Sequence, residues 1–283
     1  AETLMRSFST SSDKILLTLF VLSIGLTGVF IAIPVYHAVE LSFFNASSFV
    51  GDRSWAGLDN YKRVVVDPDF WNSLWVGLAF AGLAILLQVV LGILFALLLN
   101  RPFQGRAIVR GVTILPYLLP TVVVAVAFQW MLDGSFGLFT NWAMQMGLGR
   151  PAWFENPTTA LGIVILISVW TWTPFVTISF LAGLQTVPSS RFGHITLPVL
   201  SPVLTVVVLL RSIWMFNKFD IVWLMTKGGP LGATEHLPIL AYRRAFLQYD
   251  VGGGAAIATI SFLILSVLIF IYFRIFPLEE KEG

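Results

Sequence analysis

Cysteine is absent from the chain, histidine occurs three times, and charge is scarce. Without cysteine there is no disulfide, no thiolate nucleophile and no cysteine-held metal. His37, His194 and His236 lie far apart, and none has a partner at ligand spacing, so no metal site is expected. The pattern G-x-x-x-x-G-K-[ST] is missing, so the chain does not hold ATP by a P-loop of its own. Charged residues make up 11% of the 283 positions and hydrophobic ones 57%. The mean hydropathy is +0.85. A water-soluble domain of this length could not hide so much apolar surface in its core. The net charge is only +2, and no basic cluster is interleaved with aromatics, which argues against nucleic acid as a partner.

What is present is a set of long apolar runs rather than the alternating segments of an outer-membrane barrel. Spans with internally satisfied backbones must then be helices, and the fold is read as all-α, a polytopic integral membrane protein in a single domain, 1–283. A bilayer core needs about 20 apolar residues per helix. Six segments reach that length: 15–34, 74–99, 108–132, 160–184, 199–222 and 255–276. Arg6 and Lys14 precede the first, but no small-residue cleavage site follows, so it is read as a retained helix. Lysine and arginine divide almost evenly between the two sets of loops. The short basic loop from Asn100 to Arg110 carries the most weight and places the N-terminus in the cytoplasm.

Asp67-Pro68 before the second span is a helix-start signal, since proline at the first helical position gives up an amide that is unpaired there anyway. Trp71 and Trp75 follow at the level of an interfacial aromatic belt; anchoring and contact with an outer partner both fit them. The segment from Asp133 to Pro157, with Phe136, Phe139, Trp142, Trp153 and Phe154, is expected to lie partly along the interface. Pro116, Pro120 and Pro174 fall within the third and fourth spans and read as packing kinks or as hinges. Gly252, Gly253 and Gly254 offer a small-residue surface for close helix approach.

The fifth span carries Arg211, Lys218 and Asp220, and each charge placed near the bilayer centre costs about 3 kcal/mol. In a regular helix Arg211 and Lys218, seven apart, share one face, and Asn217 and Asp220 lie on another, so the charges cannot neutralise one another within the helix. Two readings stand. Either Lys218 and Asp220 reach the surface and leave Arg211 alone buried, or Trp214, Phe216, Asn217 and Asp220 line a hydrated cavity. Rings beside amide and carboxylate groups suit a sugar, whose hydroxyls take hydrogen bonds while its C–H faces stack.

Phe216-Asn217-Lys218-Phe219-Asp220, with Trp223, Thr226 and Gly228-Gly229-Pro230, resembles the fifth-helix signature of the maltose-type permease subunits of bacterial ABC sugar importers. Gly57-Leu58-Asp59-Asn60-Tyr61 and Asp67 to Trp71 match the outer loop; Asn100 to Arg106, Leu115-Pro116 and Pro120 match the second-to-third helix region. Leu181 to Pro188 and Ile195 to Pro198 match the flanks of the cytoplasmic coupling loop. The Gly-Gly-Pro variant resembles the first of the two unlike permease subunits. Within 185–198 the pattern departs from the family: Ser190 runs straight into Arg191, and the family's Glu-Ala-Ala helix is missing there, which leaves the coupling region incomplete.

The resemblance implies the type I ABC importer permease fold, a place in the bacterial inner membrane and no catalytic centre. The implied partners are a second homologous permease subunit, two ATPase subunits that hold ATP and Mg, an extracytoplasmic sugar-binding protein, and membrane lipid. It assigns ATPase contact to Pro188, Ile195, Leu197 and Pro198 and sugar contact to Trp214, Phe216, Asn217 and Asp220. The cargo implied by the resemblance is a sugar, with disaccharides such as maltose and trehalose in the family's range. A phosphorylated cargo would want a fork of arginines, and a lone Arg211 favours a neutral one. A self-sufficient secondary transporter is the alternative, although such chains usually carry two repeats, and none is evident here. For an enzyme, the scattered histidines and acids supply no catalytic set.

Overall fold

The computed structural model describes residues 11–185 and 196–276. In chain order the elements are α1 (Ser11–Leu41), the strands β1 (Phe44–Ala46) and β2 (Arg53–Trp55), α2 (Asp59–Val66), α3 (Pro68–Asn100), α4 (Arg106–Leu118), α5 (Thr121–Met131), α6 (Leu138–Gln145), α7 (Pro157–Gln185), α8 (Thr196–Phe216), α9 (Asp220–Thr226), α10 (Leu237–Tyr242) and α11 (Val251–Ile275). A π-helical turn, Arg243–Leu247, joins α10 to α11.

Among the described residues four helices are long and apolar enough to cross a membrane, and there are up to six spans if the bent pairs α4–α5 and α8–α9 each count as one. The spans are longer than expected. α1 runs through Pro34 to Leu41. α3 starts at Pro68, where the Asp67 side chain accepts from the Asp69 amide and caps the helix. α11 starts four residues before the expected Ala255, with Asp250 accepting from the Gly253 amide.

The third span departs most from expectation. Instead of one helix over 108–132, α4 and α5 meet at 92°. Leu119 and Pro120 both sit in extended backbone, ψ 135°. Proline forces this, because its ring clashes with a helical residue before it. Pro174, by contrast, lies inside an unbroken α7.

α7 is the most enclosed span, packed between α3, α8 and the α4–α5 pair. Its closeness to α3 depends on Gly92, where a Cβ would stand 2.5 Å from a methyl of Val176. α1 exposes its apolar side chains along most of its length, as suits a lipid-facing helix.

Beyond the end of α1, the β1–β2 hairpin pairs Phe44 with Trp55, Asn45 with Ser54 and Ala46 with Arg53. Buried Asn60 donates to the carbonyls of Ser42 (2.8 Å) and Phe44 (2.9 Å) and so ties α2 to β1. Gly252 lets α11 approach the same strand; a Cβ there would collide with the Phe44 carbonyl oxygen. The glycine run is thus a packing surface. Ion pairs close this region: Arg244 with Asp67, and Arg243 with Glu235 at 2.9 Å and Asp69 at 3.4 Å.

Candidate functional site

The fifth span is not one regular helix. α8 ends at Phe216, Asn217 to Phe219 are non-helical, and α9 leaves at 42°. No proline lies at this break. The Lys218 carbonyl, which a continuous helix would pair with an amide one turn on, instead accepts from His236 Nε2 at 2.6 Å. His236 is 1% exposed and lies outside the spans; burial pushes its pKa down to about 4, which keeps the ring neutral.

The break overturns the expectation that the charges cannot neutralise one another. Lys218 Nζ reaches both carboxylate oxygens of Asp220, at 3.0 and 3.1 Å. Two residues apart, they would point away from each other on a regular helix. Lys218 also sits over the Trp172 ring, 3.9 Å from its centroid. Both side chains are partly exposed, Asp220 more than Lys218.

Arg211 is 1% exposed. Its Nε donates to Gln88 Oε1 at 2.8 Å, and Gln88 Nε2 donates to the Ser168 carbonyl at 3.3 Å. The guanidinium lies 5.9 Å from the Trp172 ring and 5.7 Å from Trp214. One of its terminal nitrogens is buried without a hydrogen-bond partner, and no carboxylate pairs with it among the described residues. Aromatic faces and one amide therefore carry a buried cation.

Trp214 is 42% exposed and packs edge-on against Phe175 at 5.2 Å; Phe175 in turn meets Tyr117. Asn217 is exposed, and its side-chain amide donates to the Ile213 carbonyl. Trp214, Arg211, Trp172, Lys218 and Asp220 form one connected group beside Asn217. Phe216 does not join it. It is 4% exposed and packs with Val64, Phe70, Leu237, Leu240, Ala256 and Ile257, because its place on α8 faces α11. The sugar contact expected of Phe216 thus stands apart from this group; its ring packs in the core and also lines an apolar cavity with Leu78, Ile85 and Tyr272.

Three members were not singled out in the sequence. Gln88 is a lone amide within an apolar span, and that isolation was the available signal. Trp172 looked like one more membrane aromatic. His236 had no ligand-spaced partner, yet its role is to cap a carbonyl. Of the coupling residues, Pro188 and Ile195 lie outside the described residues, and Leu197 and Pro198 fall in the first turn of α8.

Residues 88–277 match the family described as "Binding-protein-dependent transport system inner membrane component". The trehalose/maltose transport system permease protein MalF of Thermococcus litoralis is 34% identical over 262 residues, covering 87% of this chain and 88% of that one. A chain of a bacterial ABC transporter involved in the import of the acidic polysaccharide alginate shares the fold with a TM-score of 0.84 at 19% identity, over 99% of this chain and 100% of that chain. A chain of the bacterial alginate ABC transporter in complex with its alginate pentasaccharide-bound periplasmic protein gives 0.82 at 19% identity, covering 96% and 97%. The chain belongs to the inner membrane components of binding-protein-dependent transport systems, multi-pass permease subunits that are not themselves catalytic and rely on partner subunits for ATP hydrolysis.

Proposed function

We propose that this chain forms half of the translocation path of an ATP-driven importer for a neutral carbohydrate, a disaccharide in the first instance, working by alternating access. A second homologous permease completes the path, two ATPase subunits drive it, and an extracytoplasmic binding protein delivers the sugar to the outer face. The N-terminus lies in the cytoplasm. Pro188, Ile195, Leu197 and Pro198 contact the ATPase. Trp214, Asn217 and Asp220 contact the sugar.

The observation that carries this reading is the break at Asn217 to Phe219. It sets an exposed amide and a half-exposed indole beside a carboxylate already neutralised by lysine. Such a surface offers hydrogen bonds and a stacking face without net charge, as a neutral sugar requires. The Thermococcus relative, a trehalose/maltose permease by name, supports the same cargo class.

The test is reconstitution of the complete importer in vesicles, with its binding protein outside and ATP within. Trehalose or maltose should accumulate chemically unchanged, dependent on ATP and indifferent to ion gradients. Asn217→Ala and Asp220→Ala should impair uptake while the complex still assembles; normal uptake in both would refute the site assignment.

A further inference from the structure

Between the break and the outer loops, five rings stand in contact one after another. Phe219 stacks on Trp223 (centroids 5.6 Å apart, planes within 17°) and also meets Tyr242 at 5.1 Å. Trp223 meets Tyr242 edge-on at 4.8 Å. Tyr242 stacks on Phe246 at 4.9 Å, and Phe246 touches Phe49, in the turn of the β1–β2 hairpin, at 5.0 Å. The row is assembled from α9 and the residue before it, α10, the π-helical turn and the hairpin, so no single element's periodicity produces it.

A core does not account for the whole row, although Phe219 and Trp223 pack against the buried cluster that includes Trp172, Met215 and Ile221. Phe49 is 53% exposed and Phe246 50%, and the other three are half-buried. A lipid-facing belt does not account for them either. Phe219 lies between Lys218 and Asp220, and Tyr242 is followed by Arg243 and Arg244, which pair with Glu235, Asp69 and Asp67; partly exposed charges of this kind do not face hydrocarbon. Two of the contacts, Phe219–Trp223 and Tyr242–Phe246, are i,i+4 pairs whose rings lie nearly parallel. The second continues into the π-helical turn, a rare irregularity that recurs at functional sites.

We propose that Phe49, Phe246, Tyr242, Trp223 and Phe219 form an aromatic track on which a sugar slides from the outer face to the break, stacking its C–H faces on successive rings. The track rests on the carbohydrate reading above. Ring contacts are weak one at a time and alike from ring to ring, so cargo is held without being trapped, and bound polar solute stays out of contact with lipid.

The experiment uses the assembled importer in vesicles and follows initial uptake of radiolabelled trehalose and maltose, with binding-protein-stimulated ATP hydrolysis measured alongside. Trp223→Ala and Tyr242→Ala should each slow uptake about tenfold, the loss of roughly one ring contact. Stimulated ATP hydrolysis should persist, and Trp223→Phe and Tyr242→Phe should stay within about twofold of the unmodified importer. Should an alanine variant not assemble, the more exposed pair Phe49→Ala/Phe246→Ala gives the same reading at the track's outer end. Alanine variants that transport at full rate, or phenylalanine variants that fail equally, overturn the track while leaving the carbohydrate reading intact. An unmodified importer that accumulates neither sugar overturns both.

Discussion

The α4–α5 pair turns by 92° at Leu119 and Pro120, whereas the α8–α9 pair turns by 42° across Asn217 to Phe219 with no proline at the break. At the first, proline removes an amide and drives its predecessor into extended backbone, so the break is written locally. At the second, every residue could continue the helix. What stops it is a histidine from a distant loop that takes the Lys218 carbonyl, together with a lysine–aspartate pair that only a non-helical path allows. A proline break costs little to hold and is fixed. A break held by partners from elsewhere depends on those partners, and it is this second break that carries the polar groups of the candidate site.

Removing the partner should therefore have the largest effect. His236→Ala deletes the donor to Lys218 and leaves a void against Phe80 and Gly77, and it should cost about 3 kcal/mol in the unfolding of the purified chain. A loss under about 1 kcal/mol would mean that the second break is locally encoded after all.

Acid should act on the same contact. The His236 pKa is depressed from 6.5 to about 4, so the unfolded chain binds a proton that the folded chain refuses. Stability from this group is present above pH 6.5 and is lost as pH falls from there to about 4, by on the order of 3 kcal/mol. Glu235, its neighbour, works the other way. Burial, against the opposing pull of Arg243, raises its pKa, so protonation favours the folded state and stability from this group grows as pH falls. Unfolding measured against pH should show the acid loss flattened in His236→Ala and steepened in Glu235→Gln.

A smaller effect is expected from the ion pair. Lys218→Met, Asp220→Asn and the double variant, compared as a cycle, should give a coupling of about 1 kcal/mol, since both side chains are partly exposed and only the ring of Trp172 adds to the pair. A coupling near zero would leave the break to His236 alone. The smallest effect belongs to the first break. Pro120→Ala should cost less than about 1 kcal/mol, mostly through the unfolded state. Spin labels at Val112 and Val126 should report a longer distance than in the unmodified chain, because without the proline Leu119 can return to helical backbone and the turn can open.

Much of the fold was legible in the sequence because its cause is local. A run of apolar residues long enough to cross the bilayer must be helical there, Asp67-Pro68 starts a helix by supplying an acceptor and giving up an amide, and the glycines of 252–254 permit close approach. Pro120 was visible as a disturbance, but the size of the turn was not, since proline allows a range of angles and packing selects one. The site was legible in part. A buried Arg211 was part of one of the two readings of the fifth span, and Arg211 is buried. Phe216 lies apart from the group gathered at the break because its helix exposes one face and buries the other, and periodicity does not tell which face meets α11. The pairing of Lys218 with Asp220 was missed because a regular helix forbids it.

The composition and the apolar runs by themselves determined a helical membrane protein, because hydrocarbon leaves the backbone no other partner for its amides and carbonyls. Tertiary structure decided where the fifth span breaks, which of its polar groups meet, and how rings from four elements come into line. Each of those depends on a contact between residues distant in the chain, such as Arg211 with Gln88 or His236 with Lys218, and such contacts are selected by packing rather than by neighbours in sequence.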